Sequence, residues 1–547
     1  MADRYWILGT GTWDATNTVN WSDTSGGSGG FSVPTASDNV YFDANSNVLA
    51  TAFTVTMANT PRVCNDFTAS GLDGVMTLAG TSIGLTVSGS LTFQATNFTR
   101  TYTGTTTFNA TTTGKTITTN GVAFGSAVTF NGVGGGWTLG SALTTTGTTT
   151  LTNGTLDLQS YTLSTNLFSS TNSNTRTIAF GTGNITCTGT GTVWTTQTNT
   201  GLTTTGAQVV NVTSTGSTAI TVRNGSLSEA DSISFNFTGG TYTLAFLQSG
   251  TTTARNVNFT GYAGTLLVTD TGIIYGNLTL SSGMTLTAST NAMSFRATSG
   301  TQQITTNAKT IDFPLTFNGV GGTFQLQDAL TMGSTRTATL TNGTLDLFGK
   351  TLTVGTRFTT ATGTKNLTFN GGTLVCPDPN TTAFNNAAPT GFTTTAGTGT
   401  GTISMTAATA KTFVGGGSTF NCTLNQGGAG ALTITGSNTF SNITNTVQPA
   451  SILFTAGTTS TFSNFSLSGT AGNLITIGSV TAASHTLSKA SGTVSSDYLS
   501  ISRSTATGGA SWYAGANSTD GGNNSGWVFT APPAPPGTAT GNFLMFF

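Results

Sequence analysis

The chain has 547 residues, of which only 6% are charged, and its 16 basic and 17 acidic side chains leave a formal net charge of −1. An average domain carries roughly 25% charged residues, so this surface must be covered by uncharged Thr, Asn, Ser and Gly. No basic stripe is present to neutralise phosphates, which excludes nucleic acid as an expected partner. A single glutamate, Glu229, set against recurrent Thr, Val, Ile and 34 Phe, points to an all-β chain rather than a helical or disordered one.

Residues 1–61 come first. They hold three of the seven tryptophans, Trp6, Trp13 and Trp21, and a flexible "SGGSGG" stretch. This segment is expected to be an N-terminal cap or attachment region, since the open end of a stacked β fold needs covering. The opening "MADRYWILG" has neither the basic nor the apolar region of a secretory signal. No stretch approaches the roughly 18 apolar residues of a membrane span, so neither an export leader nor a span is expected. "DANSN" at Asp43–Asn47 alternates oxygen ligands like the start of a calcium loop, but Val48 stands where such a loop needs Gly and Thr54 where it needs Glu.

The body is a tandem duplication. "LTNGTLDL" occurs at Leu151–Leu158 and again at Leu340–Leu347, and the same offset of 189 carries Arg176 onto Lys365, Phe180 onto Phe369 and Cys187 onto Cys376. Just upstream, "FNGVGGGWTLGSALT" from Phe130 matches "FNGVGGTFQLQDALT" from Phe317 at an offset of 187. The two units span 62–255 and 256–445, with a weaker echo from Ala410. Within each unit, five to eight residues alternate apolar and polar before a Gly, Asn or Ser, the pattern of strands with one buried face. The strands flanking Asn153-Gly154 could form a hairpin. Against that, the pattern runs for hundreds of residues without helices, which is the signature of a parallel β-helix, or β-solenoid. With about 20 residues per coil and ~4.8 Å between coils, the repetitive body would form a rod on the order of 100 Å long. Residues 446–530 read as a C-terminal β module. Residues 531–547 begin with the stiff "APPAPPG" and end in an apolar tail whose Phe543, Leu544, Met545, Phe546 and Phe547 form a candidate docking peptide.

Residues with chemical potential are few. Glu229 and Asp231 are the one close acidic pair containing a Glu; they would share a face in a strand, or form a polar turn. His485 has no acid or nucleophile beside it, as general acid–base work requires, and is expected to be packed or on the surface. Cys64, Cys187, Cys376 and Cys422 are too scattered for a zinc site, and the repeat-equivalent Cys187 and Cys376 are expected to point into the core. The "GKT" strings at Gly114–Thr116 and Gly349–Thr351 lack the upstream Gly of a phosphate loop, with Asn109 and Thr344 in its place. No catalytic residue, metal or cofactor is expected.

The opening "GTGTWDATNTVNWSDTSGG" and "VPTASDNVYFDA" resembles that of autotransporter-like passengers and phage fibres. The repeated "GNLTL", "LTFNGVGG" and "LTNGTLDL" look like the β-solenoid bodies of bacteriophage tail-fibre and virion-appendage proteins. "LSKASGTVSSDYLSISRS" and "NNSGWVF" are similar to C-terminal modules of the same group. The resemblance implies a non-enzymatic structural virion protein, a fibre, spike or capsid-attached appendage, that contacts other capsid or tail proteins and a host-surface glycan or receptor. It also implies a homo-oligomer, a trimer by analogy, assembled in the host cytoplasm. The alternatives are a bacterial surface adhesin or surface-layer protein, and a tailspike that cleaves polysaccharide. Recognition is expected where repetition stops, in residues 1–61 and 448–547.

Overall fold

The computed structural model describes residues 1–246, 252–378 and 382–534, so the candidate docking tail, Phe543 to Phe547, lies outside the described residues. Among these the chain is all-β: 59 strands and a single turn of 3-10 helix at Ala44–Asn47. Strands pair in parallel with partners about one coil away in sequence. Phe130 sits beside Leu151, 21 residues on, and Arg176 beside Leu202, 26 residues on. Parallel pairing at that spacing is a β-solenoid, with about 21 turns, and it rules out a hairpin at Asn153-Gly154. The chain forms two compact units, Met1–Ser294 and Phe295–Phe547.

In the first unit, the N-terminal strands stack by the same parallel pairing as the coils that follow. Asn39–Phe42 lies between Asp3–Trp6 and Phe67–Ala69, and Phe53–Met57 lies between Gly11–Trp13 and Met76–Ala79. Trp21–Ser22 pairs antiparallel, against Asp3–Trp6. Trp6, Trp13 and Trp21 are buried together, with Trp21 5.2 Å from Trp6 and 5.3 Å from Trp13 between ring centres. Phe42 joins them, with ring centres 6.1–6.3 Å from all three tryptophans.

Inside both units, apolar side chains line up coil over coil. Rings stack nearly parallel at Phe168–Trp194 (4.7 Å) and Phe108–Phe130 (5.2 Å) in the first, and at Phe384–Phe413 (4.4 Å) and Phe420–Phe440 (5.2 Å) in the second. Each buried Phe contributes roughly 2–3 kcal/mol relative to exposure. Outside, asparagines form amide ladders in which Asn211 Nδ2 donates to Asn184 Oδ1 at 3.1 Å and Asn236 Nδ2 to Asn211 Oδ1 at 3.0 Å. Toward its C-terminal end the second unit carries three parallel strands, Thr493–Ser495, Ser511–Tyr513 and Trp527–Val528. There Trp512 and Trp527 meet at 5.0 Å.

The repeated string is a strand that bends. Thr148–Asp157 is continuous, but its burial alternation shifts at Asn153-Gly154, so one strand serves two faces of the coil. The partner Val128–Leu139 shifts register at the same place, between Asn131 and Gly136. Gly154 has φ +78°, which glycine adopts without steric penalty. Asn153 Nδ2 donates to Asn131 Oδ1 on the preceding coil at 2.9 Å, and Asn342 repeats the bond to Asn318 at 2.8 Å in the second unit. Asn thus joins the corners while Gly turns them.

Candidate functional site

The acidic and metal-like motifs serve local structure. Asp43 caps the 3-10 turn: its Oδ1 accepts from the Asn45 amide at 2.9 Å and its Oδ2 from the Ser25 hydroxyl at 2.7 Å. Glu229 and Asp231 lie in a turn, where Asp231 Oδ2 accepts from the Ser228 hydroxyl at 2.6 Å and the Glu229 carbonyl from the Ser232 hydroxyl at 2.9 Å. The repeated aspartates also cap turns, Asp157 accepting from the Gln159 amide and Asp346 from the Phe348 amide. Asp346 is the more enclosed, and it accepts further bonds from Gln325 and Asn370 on neighbouring coils. Lys115 opens the strand Lys115–Thr118, so the first "GKT" is part of the ladder.

All four cysteines are buried and free. Cys187 and Cys376 occupy equivalent inward positions, and burial pushes each thiol up to about 12. Thiols held protonated in this way are inert as nucleophiles.

His485 is fully buried, stacked 4.8 Å from Phe454, with Nδ1 2.8 Å from the Ser479 hydroxyl. Its Nε2 has no hydrogen-bond partner among the described residues. Burial disfavours the imidazolium and lowers the pKa to about 4. Since the unfolded imidazole titrates near 6.5, the unfolded chain binds more protons between pH 6.5 and 4, and stability falls as pH falls through that window. The full effect is roughly 3 kcal/mol. His485→Phe, which can keep the stack on Phe454, is expected to flatten this part of the pH profile in chemical-denaturation series at pH 7, 5.5 and 4. A wild-type slope in the variant would show that other groups govern it.

Among the buried cations, Arg176, Lys365 and Lys411 are each held by backbone carbonyls, with no ion pair among the described residues. Arg176 places all five N–H donors: Nε on the Ser170 hydroxyl, Nη1 on the carbonyls of Asn174 and Thr200, Nη2 on those of Ser170 and Thr198, at 2.7–2.9 Å. Its repeat equivalent Lys365 donates to the carbonyls of Gly363 and Thr390, both at 3.0 Å. Lys411 donates to Ala407, Gly428 and Gly430, and burial lowers its pKa to about 8. Among the described residues the one ion pair is Arg336 with Asp312, at 2.7 Å. These cations cross-link coils through their loops.

Two surface grooves lie at repeat-related positions and share part of their lining. The first, about 380 Å³, is lined by Val133, Gly134 and Gly135, by Asn153, Gly154 and Thr155 of the repeated string, and by Thr175 to Thr177 on the next coil. The second, about 340 Å³, is lined by Val320 to Gly322, Gly343, Thr344 and Thr364 to Asn366. Offsets of 187 and 189 carry Val133, Gly134, Gly135, Gly154, Thr155 and Thr175 onto Val320, Gly321, Gly322, Gly343, Thr344 and Thr364, while Arg176 becomes Lys365 and Thr177 becomes Asn366; Thr113, Asn153 and Asn174 line the first groove alone, and Gly391 and Thr393 the second. The glycines answer to the backbone: a Cβ on Gly132 or Gly135 would fall within 2.0 Å of the Ala110 carbonyl. The valines do not, since Val133 is 72% and Val320 65% exposed. The hydroxyls of Thr155, Thr175, Thr344 and Thr364 have no hydrogen-bond partner among the described residues. Sequence reasoning treated the string as scaffold alone. The available signal was the valine kept in both copies of "GVGG", an apolar residue between glycines where no core needs it.

A separate apolar surface lies in the N-terminal stretch. Leu8, Val48 and Leu49 are 62%, 78% and 75% exposed around a cavity of about 270 Å³. Leu8 is held at φ +72°, a strained conformation for a residue with a Cβ. Among the described residues no helix is long and apolar enough to cross a membrane, and no cluster of three His, Cys, Asp or Glu could hold a metal. Comparison with family models, curated proteins and solved structures gave no match.

Proposed function

We propose that this chain is a non-enzymatic structural protein of a tailed-bacteriophage virion, a fibre, spike or capsid-attached appendage that meets the host surface. The observation that carries this reading is where the chemistry-bearing side chains go. Arg176, Lys365, Lys411, His485 and all four cysteines are built into the packing between coils, and the outward faces present Thr and Asn ladders. Stacked coils of this kind suit a structural appendage. Its neutral surface is insensitive to salt, which would screen charge-based contacts. Capsid or tail proteins, and further copies of the chain, are the proposed partners; the exposed Leu8, Val48 and Leu49 offer them an apolar contact.

The test is location. Antibody raised against the purified chain should decorate density-banded phage particles from a lysate of the source, and peptides of the chain should appear in the proteome of those particles. Label on the bacterial envelope, with none on particles, would replace this reading with a surface adhesin. Release of new reducing ends from host polysaccharide by the purified chain would replace it with a cleaving tailspike.

A further inference from the structure

We infer that the two equivalent grooves are saccharide subsites, each taking a neutral oligosaccharide with an apolar face. The ligand class follows from what each groove offers. Its volume lies in the roughly 300–1,000 Å³ range of small-molecule sites. At the lip an exposed valine, Val133 or Val320, supplies an apolar contact fixed by the glycines beside it. On the walls, the threonine hydroxyls at 155 and 175, or at 344 and 364, are unpartnered and can both donate and accept. The one ionisable side chain in each, Arg176 or Lys365, has its charged head directed inward onto carbonyls. A groove without an outward charge has nothing to offset the desolvation of an ionic ligand. A sugar ring, with C–H groups on one face and hydroxyls at its edge, matches valine and threonine together.

Retention of part of the lining in both copies strengthens the assignment. Between the two units, the residues following "FNGVGG" diverge from "GWTLGS" to "TFQLQD", and Arg176 becomes Lys365. The exposed valine and the threonines at both wall positions are kept, although no core contact demands them. The inference deepens the host-contact reading by naming the receptor chemistry, and it rests on that reading only for where the sugar is met.

The purified full-length chain should be titrated calorimetrically with maltohexaose, cellohexaose, mannohexaose and chitohexaose, and with a hexagalacturonate as the acidic comparison. Expected is saturable binding of at least one neutral hexasaccharide at two sites per chain. Val133→Asp should remove one site, and Val133→Asp with Val320→Asp should weaken both by at least about tenfold. Thr155→Val with Thr344→Val should weaken binding while leaving the valines in place. These positions are exposed or half-exposed, and the melting profile of each variant establishes that it is folded. Absence of saturable binding to every neutral probe up to about 10 mM, tighter binding of the hexagalacturonate, or wild-type binding by the Val133→Asp, Val320→Asp variant would each overturn the inference. So would a variant whose sedimentation changes while its sugar binding does not, which would make the grooves contacts between copies. Sugar binding by a chain absent from virions would leave this inference standing and remove the virion reading.

Discussion

Arg176→Met is expected to destabilise the first unit by about 4 kcal/mol, and Arg176→Lys by only about 1–2 kcal/mol. The arginine satisfies four carbonyls and one hydroxyl drawn from the loops of two stacked coils. Methionine preserves apolar bulk but takes away the Arg176 donors; the Thr198 carbonyl keeps the Asn172 amide at 3.1 Å, and each acceptor left orphaned costs about 1–3 kcal/mol before relaxation and water recover part of it. Lysine keeps a charged donor, and Lys365 shows that an ammonium at the equivalent position reaches two carbonyls. In a solenoid such a loss acts on neighbouring coils first, so the probe should be local. Trp194, fully buried on the coil after Phe168, should report it as an earlier fluorescence transition in guanidinium. If both variants melt with the wild-type midpoint, the carbonyls have other donors and the cross-link has no energetic weight.

The contrast between Arg176 and Cys187 shows what the sequence could and could not convey. Both positions recur 189 residues on, and recurrence placed Cys187 and Cys376 inside because a small apolar thiol fits there without help. Recurrence of Arg176 as Lys365 said only that a cation was wanted. Its burial depends on carbonyls such as Thr198 and Thr200, whose direction is set by loops on the next coil and has no local sequence signal. The alternation of Leu, Ile, Val and Phe was enough for the stacked parallel strands, since inward columns are written directly in a period of two. The grooves were hidden for the reason that hid the carbonyl cages. Val133, Thr155 and Thr175 are each about 20 residues from the next and meet only when coils stack. At residues 1–61 the tryptophans suggested a cap, and the pairing of Asn39–Phe42 with Phe67–Ala69 places this stretch on the same ladder as the coils.

Gly343→Ala tests the bend in the repeated string, and it should be among the most damaging single-methyl additions in the second unit. At Gly343 φ is +81°, and an added Cβ would lie 2.3 Å from the Gly319 carbonyl oxygen and 2.6 Å from that of Gly322. Both contacts are with backbone of the preceding coil, so no side chain can swing aside to relieve them. Two costs therefore add: roughly 1–2 kcal/mol for a left-handed non-glycine residue, and roughly 1–3 kcal/mol for forcing packed elements apart. Gly114→Ala separates the two, because Gly114 has the same φ of +81° while a Cβ there meets nothing within 4 Å. It should lose only the conformational part. The expected result is a fall in unfolding free energy of about 4 kcal/mol for Gly343→Ala against about 1 kcal/mol for Gly114→Ala, read from guanidinium denaturation of the full chain. Equal losses would mean that the coils separate freely at the corner. In that case Asn318–Asn342 pairing and the groove beside it could not depend on close approach. A large difference ties the Asn-Gly step to coil spacing, and through coil spacing to the distance between Val320 on one coil and Thr364 two coils away, across which any ligand of this groove must reach.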